Sequence, residues 1–216
     1  MSKAINVAQA IAEETRLQIL HRLMEGPAAV AELVAELGKS QSLVSNHLAV
    51  LKGVDLVSFD HEGRKSIYRL ANASVAILIE SLAALSRNGD DSRVTPALAR
   101  ARTCYDHLAG AFGVELYEWL IKAKALKADG DDVGLGPKGA EIFARLGIDV
   151  EKAAKARRRF AMPCLDWTER KAHLGGSLGA ALCHEFVARG WIARQPGTRA
   201  VTLTPSGVKG MQKMKG

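Results

Sequence analysis

The sequence predicts a mainly α fold with short β-hairpin wings, in two domains, and three observations predict it. First, Val30–Leu51, VAELVAELGKSQSLVSNHLAVL, reads as two short helices joined by a tight turn. Second, the KGVDLVSFDHEGRKSIYRLA that follows reads as a β-hairpin. Third, residues 107–139 and 173–207 repeat one pattern. The length of 216 residues suits two domains, each with its own core.

In the helical pair, Leu33, Val34 and Leu37 fall at helical spacing, as do Leu43, Val44, Leu48 and Leu51. Gly38 ends the first helix in a left-handed conformation, and Ser40 supplies an N-cap oxygen to the second. This is a helix-turn-helix plan, whose second helix enters the DNA major groove. The outer face of that helix carries Ser40, Gln41, Ser42, Ser45, Asn46 and His47. Gln and Asn can bond adenine in a bidentate way, Ser reads bases or phosphate, and the helix N-terminus favours a phosphate. Val57–Phe59 and Ile67–Leu70 are the predicted hairpin strands, with His61-Glu62-Gly63-Arg64 as the turn. Arg64 and Lys65 at its tip would meet the DNA backbone or minor groove, while Tyr68 packs beneath. A helix-turn-helix, a hairpin and a further helix together make a winged helix.

The segment ETRLQILHRLMEGPAAVAELVAELGKSQSLVSNHLAVLKGVDLVSFDHEGRKSIYRL resembles the ArsR/SmtB family of bacterial repressors. The resemblance covers about the first 90 residues. It implies a homodimer that binds an imperfect palindrome in double-stranded DNA and releases it when an inducer binds. It also implies dimerisation through the first and last helices of the domain, here Ala4–Glu13 and Ser74–Leu85. The second of these, SVAILIESLAAL, is apolar over more of its surface than a monomer's outer helix should be. The chain departs from the family at both familiar metal sites. VAELVAEL has no cysteine, and SVAILIESLAALSR offers only Glu80. Any sensor must lie elsewhere.

The predicted organisation is a winged helix-turn-helix DNA-binding and dimerisation domain over 1–88, a linker over 89–96 and a C-terminal domain over 97–216. The C-terminal domain is predicted to hold an internal duplication, about 104–145 and 164–214, with each copy winged-helix-like. HLAGAFGVELYEWLIKAKAL lies over HLGGSLGAALCHEFVARGWI at a constant offset of 66, pairing His107 with His173, Gly110 with Gly176 and Gly113 with Gly179. Each copy then carries Leu-x-Pro-x-Gly, which ends a strand and starts a helix.

Each copy is preceded by Cys-x-Asp, and these segments are similar to a subgroup of longer ArsR-type regulators. The candidate sensor residues are Cys104, Tyr105, Asp106, His107, Cys164, Asp166, Trp167, Arg170 and His173. Cys104, His107, Cys164 and His173 could close a tetrahedral site for a divalent metal such as zinc, with Cys104 and His107 on one face if both are helical. The cysteines could instead react as low-pKa thiolates, in redox sensing. Alternatively Trp167, Tyr105 and Trp119 could line a pocket for a small organic effector, oriented by Asp106 and Arg170. A purely structural reading has the acids capping helices and the cysteines and tryptophans filling a core. Cys183, inside Leu178–Arg189, reads as packing.

Composition narrows the classes. No apolar run is long enough to span a membrane, and three cysteines without a Cys-x-x-Cys pair suit a reducing cytoplasm. The net charge of +7 is uneven: residues 1–95 hold 10 Lys+Arg against 11 Asp+Glu, residues 96–216 hold 20 against 12. The C-terminal excess, densest at Arg157-Arg158-Arg159, would flank DNA, bind an anionic effector or simply face water. The chain has no Gly-rich phosphate loop, Gly-x-Ser-x-Gly or His-Glu-x-x-His, so an enzyme is not expected. The expected function is a repressor released by an effector. The rival is a constitutive nucleic-acid-binding or partner-docking protein.

Overall fold

The computed structural model describes residues 2–63, 65–86, 95–129, 132–196 and 198–215. They form two compact units, Met1–Ile79 and Glu80–Gly216, so the divide falls inside a helix. Of the predicted linker, 89–94 lie outside the described residues, while Thr95 caps a short helix that opens with Pro96.

The first unit begins with α1 (Lys3–Ile11) and α2 (Glu14–Glu25). The helix predicted to run to Glu13 stops earlier because Glu13 is the N-cap of α2, its carboxylate accepting the Arg16 amide at 2.8 Å. Next come β1 (Ala28–Ala29), α3 (Val30–Leu37) and α4 (Gln41–Gly53). Gly38 takes φ 63 and Ser40 accepts the Leu43 amide at 3.3 Å, so the turn between α3 and α4 follows from its two punctuating residues. The hairpin is β2 (Val57–Glu62) and β3 (Lys65–Leu70), joined through Gly63 at φ 62. Its strands run further than predicted, to a Glu62–Lys65 pair, and β1 adds a third strand beside β3. The last helix is α5 (Ala73–Ser86).

The core of this unit joins Ile19, Leu20 and Leu23 of α2, Leu33 of α3, and Val44, Leu48 and Leu51 of α4. Leu43, predicted to be in this stripe, is 40% exposed. The buried stripe runs 44, 48, 51, and a residue one place before it is turned about 100° off that axis.

The second unit has α6 (Pro96–Arg100), β4 (Arg102–Cys104), β5 (His107–Ala109), α7 (Gly110–Lys122), β6 (Leu126–Asp129), β7 (Asp132–Leu135) and α8 (Gly139–Arg145). It continues with α9 (Val150–Ala154), β8 (Met162–Leu165), β9 (Ala172–Gly175), α10 (Gly176–Ala188), β10 (Ile192–Arg194), β11 (Val201–Leu203) and α11 (Pro205–Lys215). Hairpin, 13-residue helix, hairpin and helix therefore occur twice. Every hairpin is a two-stranded antiparallel sheet. Phe112, Leu116 and Leu120 of α7 share one core with Leu178, Leu182 and Phe186 of α10. Cys183 is buried in that core.

The paired glycines explain how each long helix starts. Gly110 (φ 76) and Gly176 (φ 83) take left-handed backbone, and a Cβ on either would lie 2.8 or 2.7 Å from a carbonyl oxygen. Gly113 and Gly179, three residues on, press against the Leu108 and Leu174 carbonyls, where a Cβ would sit at 2.6 and 2.3 Å. Each helix is thereby locked onto the hairpin that precedes it.

Candidate functional site

Two polar features stand out, one exposed and one buried. On α4, Gln41, Ser42, Ser45 and Asn46 are exposed: Ser42 and Asn46 lie opposite the stripe Val44, Leu48 and Leu51, Ser45 lies on its flank, and Gln41 stands in the first turn. Ser40 is exposed at the helix start, with its hydroxyl committed to the cap. His47 differs from expectation. It is half-buried, with Nδ1 3.4 Å from the Glu13 carboxylate, so it faces the start of α2 and not the outer surface. In the hairpin, Lys65 is exposed at the tip, while Arg64 lies outside the described residues. Tyr68 packs on Phe59 with ring centroids 5.1 Å apart, as its predicted place under the hairpin requires.

The buried feature lies in the second unit. Cys104 and His107 are not on a helix: they face each other across β4 and β5. Cys164 and His173 face each other in the same way across β8 and β9. Cross-strand partners place their side chains on one face of the ladder. The two hairpins bring all four together, with one donor atom from each within 4.8 Å of the others and all four residues buried. The imidazoles lie 5.1 Å apart, tilted by 31°. Neither Nε2 atom has a hydrogen-bond partner.

The acids support this cluster from outside. Asp106 accepts from His107 Nδ1 at 3.3 Å and from Arg158 at 2.6 Å, while Arg158 also donates to the Gly176 carbonyl at 2.8 Å. Asp166 lies 3.3 Å from His173 Nδ1. It also accepts from Arg102 at 2.9 Å, from the Gly110 amide at 2.7 Å, and from the Thr168 and Glu169 amides at 2.9 and 3.1 Å. Asp166 thus shapes its own turn and binds the first amide of α7, which belongs to the other half. Arg102 is fully buried, with Trp167 at 4.8 Å beneath its guanidinium. Glu80 accepts from Arg199 at 2.5 Å.

Electrostatics follow from this packing. The adjoining Cys164 sulfur and complete burial push the Cys104 thiol well above its ordinary range. Burial opposes charge on His173, but the Asp166 carboxylate and Cys104 beside it outweigh that and raise the imidazole to about 9. His107 moves upward for the same reasons, with burial outweighed by Cys104 and Asp106. Burial works against the Asp166 carboxylate, yet His173 and Arg102 hold it far below the usual range. Burial pushes the Cys183 thiol up to about 11.

The remaining predicted residues take other places. Tyr105 is in the two-residue turn between β4 and β5 at φ 60, and Arg170 is exposed at φ 54 before β9. Trp119 packs against the shared core. Sequence reasoning missed Arg102 and Thr168, and it read Arg158 only as part of the basic cluster; all three are held through the aspartates.

The first unit defines the class: a winged helix-turn-helix, DNA-binding transcriptional regulator. Residues 13–58 match the bacterial regulatory protein, arsR family. The HTH-type transcriptional regulator YdfF of Bacillus subtilis (strain 168) is 36% identical over 215 residues, 96% of this chain and 94% of its own length. The chain therefore belongs to the ArsR family. NmtR, an HTH-type transcriptional regulator of Mycobacterium tuberculosis (strain ATCC 25618 / H37Rv), is 38% identical over 79 residues, 37% of this chain and 66% of its own length. Among solved structures, reduced HlyU from Vibrio cholerae N16961 is 39% identical, covering 39% of this chain and 88% of its own, with a TM-score of 0.37. No helix among the described residues is long and apolar enough to cross a membrane.

Proposed function

We propose that this regulator is a cytoplasmic, non-enzymatic repressor that binds a palindromic operator as a homodimer and is released by an effector acting on the second unit. The observation that carries the reading is the division of α4. Val44, Leu48 and Leu51 anchor one side, Ser42 and Asn46 are exposed opposite with Ser45 on the flank, and Gln41 is exposed in the first turn. Short hydrogen-bonding side chains of this kind read base edges in the major groove. Lys65 on the wing adds a backbone contact.

The near-neutral charge of residues 1–95 fits a reader that draws on base contacts more than on phosphate attraction. Dimerisation through α1 and α5 is part of this reading; on α1, Ile5 is an exposed apolar side chain, at 47%. We read the second unit as a fused pair of winged-helix-like copies. One arginine of its basic triplet is spent inside the fold, since half-buried Arg158 binds Asp106, while Arg159 pairs with Asp132 at the surface. That favours an effector domain over a second DNA surface.

Selection from a randomised duplex library tests the reading. Two half-sites about one helical turn apart are expected, with Ser45→Ala and Asn46→Ala each costing about 1–3 kcal/mol of discrimination. Equal loss on every sequence would remove both residues from base reading, and recovery of no palindrome would leave a non-specific binder.

A further inference from the structure

We propose that Cys104, His107, Cys164 and His173 form a closed, four-ligand site for one thiophilic divalent metal ion of the zinc type. The site stands on its own geometry; its use as the effector site rests on the regulatory reading above. Of the two family positions for metal, one has no cysteine and the other offers only Glu80, so the site is separate from those.

The donors come in two matched pairs, each set by cross-strand register. A zinc-type ion with bonds of about 2.3 Å to sulfur holds two sulfurs about 3.8 Å apart in a tetrahedron. Here the four donor atoms already lie within 4.8 Å of one another, so closing on an ion needs only sub-ångström to ångström adjustments.

The nitrogen side gives an independent argument. Buried polar atoms almost always find a partner. His107 Nε2 and His173 Nε2 are buried without one, in rings that belong to the same four-residue cluster as the cysteines. Each Nδ1 has an aspartate at 3.3 Å, Asp106 for His107 and Asp166 for His173. The Asp106 hydrogen bond holds the proton on His107 Nδ1 and leaves Nε2 as the donor, which is how metal-binding histidines are oriented from outside, whereas Asp166 only stands close to His173 Nδ1, which has no hydrogen-bond partner.

Glycines border the histidines, and only at Gly179 would a Cβ press on one more tightly than ordinary contact. A Cβ on Gly175 would lie 3.5 Å from His107 Nε2, and one on Gly179 would lie 3.3 Å from His107 Cβ. A Cβ on Gly113 would sit 3.6 Å from His173 Cβ. Two thiolates and a dication sum to zero charge, which suits a buried position. Four protein ligands leave no coordination position for substrate, so the ion holds the two hairpins together and performs no hydrolysis.

The test uses the purified full chain, reduced and stripped with chelator. It is titrated with Co2+ as a spectroscopic probe and with Zn2+ as competitor, and native mass spectrometry counts the ions. One ion per chain is expected, with visible sulfur-to-cobalt bands that zinc removes. Cys104→Ser and Cys164→Ser should each weaken zinc binding by more than about 100-fold. Cys183→Ala should keep one equivalent. If the serine variants do not fold, the wild-type chain still decides: no uptake by the folded, reduced protein overturns the site. One equivalent persisting in both serine variants overturns it as well. A Cys104–Cys164 disulfide that, once reduced, yields a chain without metal uptake does the same and assigns the pair to thiol chemistry. Selective DNA binding, measured on the same samples, is a separate readout. If it survives while metal uptake is absent, only the metal site fails. If it is lost from a chain holding one ion, only the regulatory reading fails.

Discussion

The outer face of α4 and the cluster between the two hairpins of the second unit leave polar groups unused in opposite ways. On α4, Ser42, Ser45 and Asn46 are solvated and contribute little to the fold beyond helix solubility. In the cluster, His107 and His173 are buried with ring nitrogens unpaired, at a cost to the fold. A surface that awaits a large partner can stay wet until it arrives. An interior that awaits a small one carries the cost beforehand, so its occupant should change stability much more than DNA does.

The largest expected effect exploits that difference. Chelation of the metal-loaded chain should remove about 4 kcal/mol if the ion is present at about 1,000 times its Kd. For a chain of this size that lowers Tm by about 8–16 °C. Calorimetry with and without chelator measures it, and an unchanged Tm would make the two regions energetically alike. Next come the glycines. Gly179→Ala places a Cβ 2.3 Å from the Leu174 carbonyl and 3.3 Å from His107, and should cost about 1–3 kcal/mol in urea unfolding. Gly53→Ala at the end of α4 meets nothing within 4 Å and should be neutral or stabilising by about 0.5–1 kcal/mol. Equal penalties would erase the contrast. Ser40→Ala removes the α4 cap and should cost about 1 kcal/mol, with cobalt binding untouched. Smallest is Lys65→Ala, which should weaken binding to all duplexes alike and reduce the salt slope by about 1. A sequence-selective loss would move the wing into base reading.

The two regions also differed in how far the sequence revealed them. The helix-turn-helix is contiguous: Gly38 and Ser40 punctuate it, and Val44, Leu48 and Leu51 mark its buried side, so local rules suffice. Local rules erred only at margins, as with exposed Leu43 and with His47 turned toward Glu13. The cluster depends on long-range pairing. The residues were legible as a set, but the spacing of Cys104 and His107 suggested a helix face where a two-residue β-turn through Tyr105 stands. The eight residues between Cys164 and His173 disguise the same arrangement, because Asp166 folds part of them into a turn. Arg102 escaped notice since its partner, Asp166, is 64 positions away.

The core joining α7 to α10 has a consequence for a severed chain. Between α9 and β8 the backbone passes through exposed Lys155 and Arg157, while Asp166 grips Gly110 across the divide. Trypsin cleaving there should produce two fragments that co-elute and separate only in denaturant. The pieces would behave as a non-covalent heterodimer, and co-expression of the two halves as separate polypeptides should reconstitute the unit.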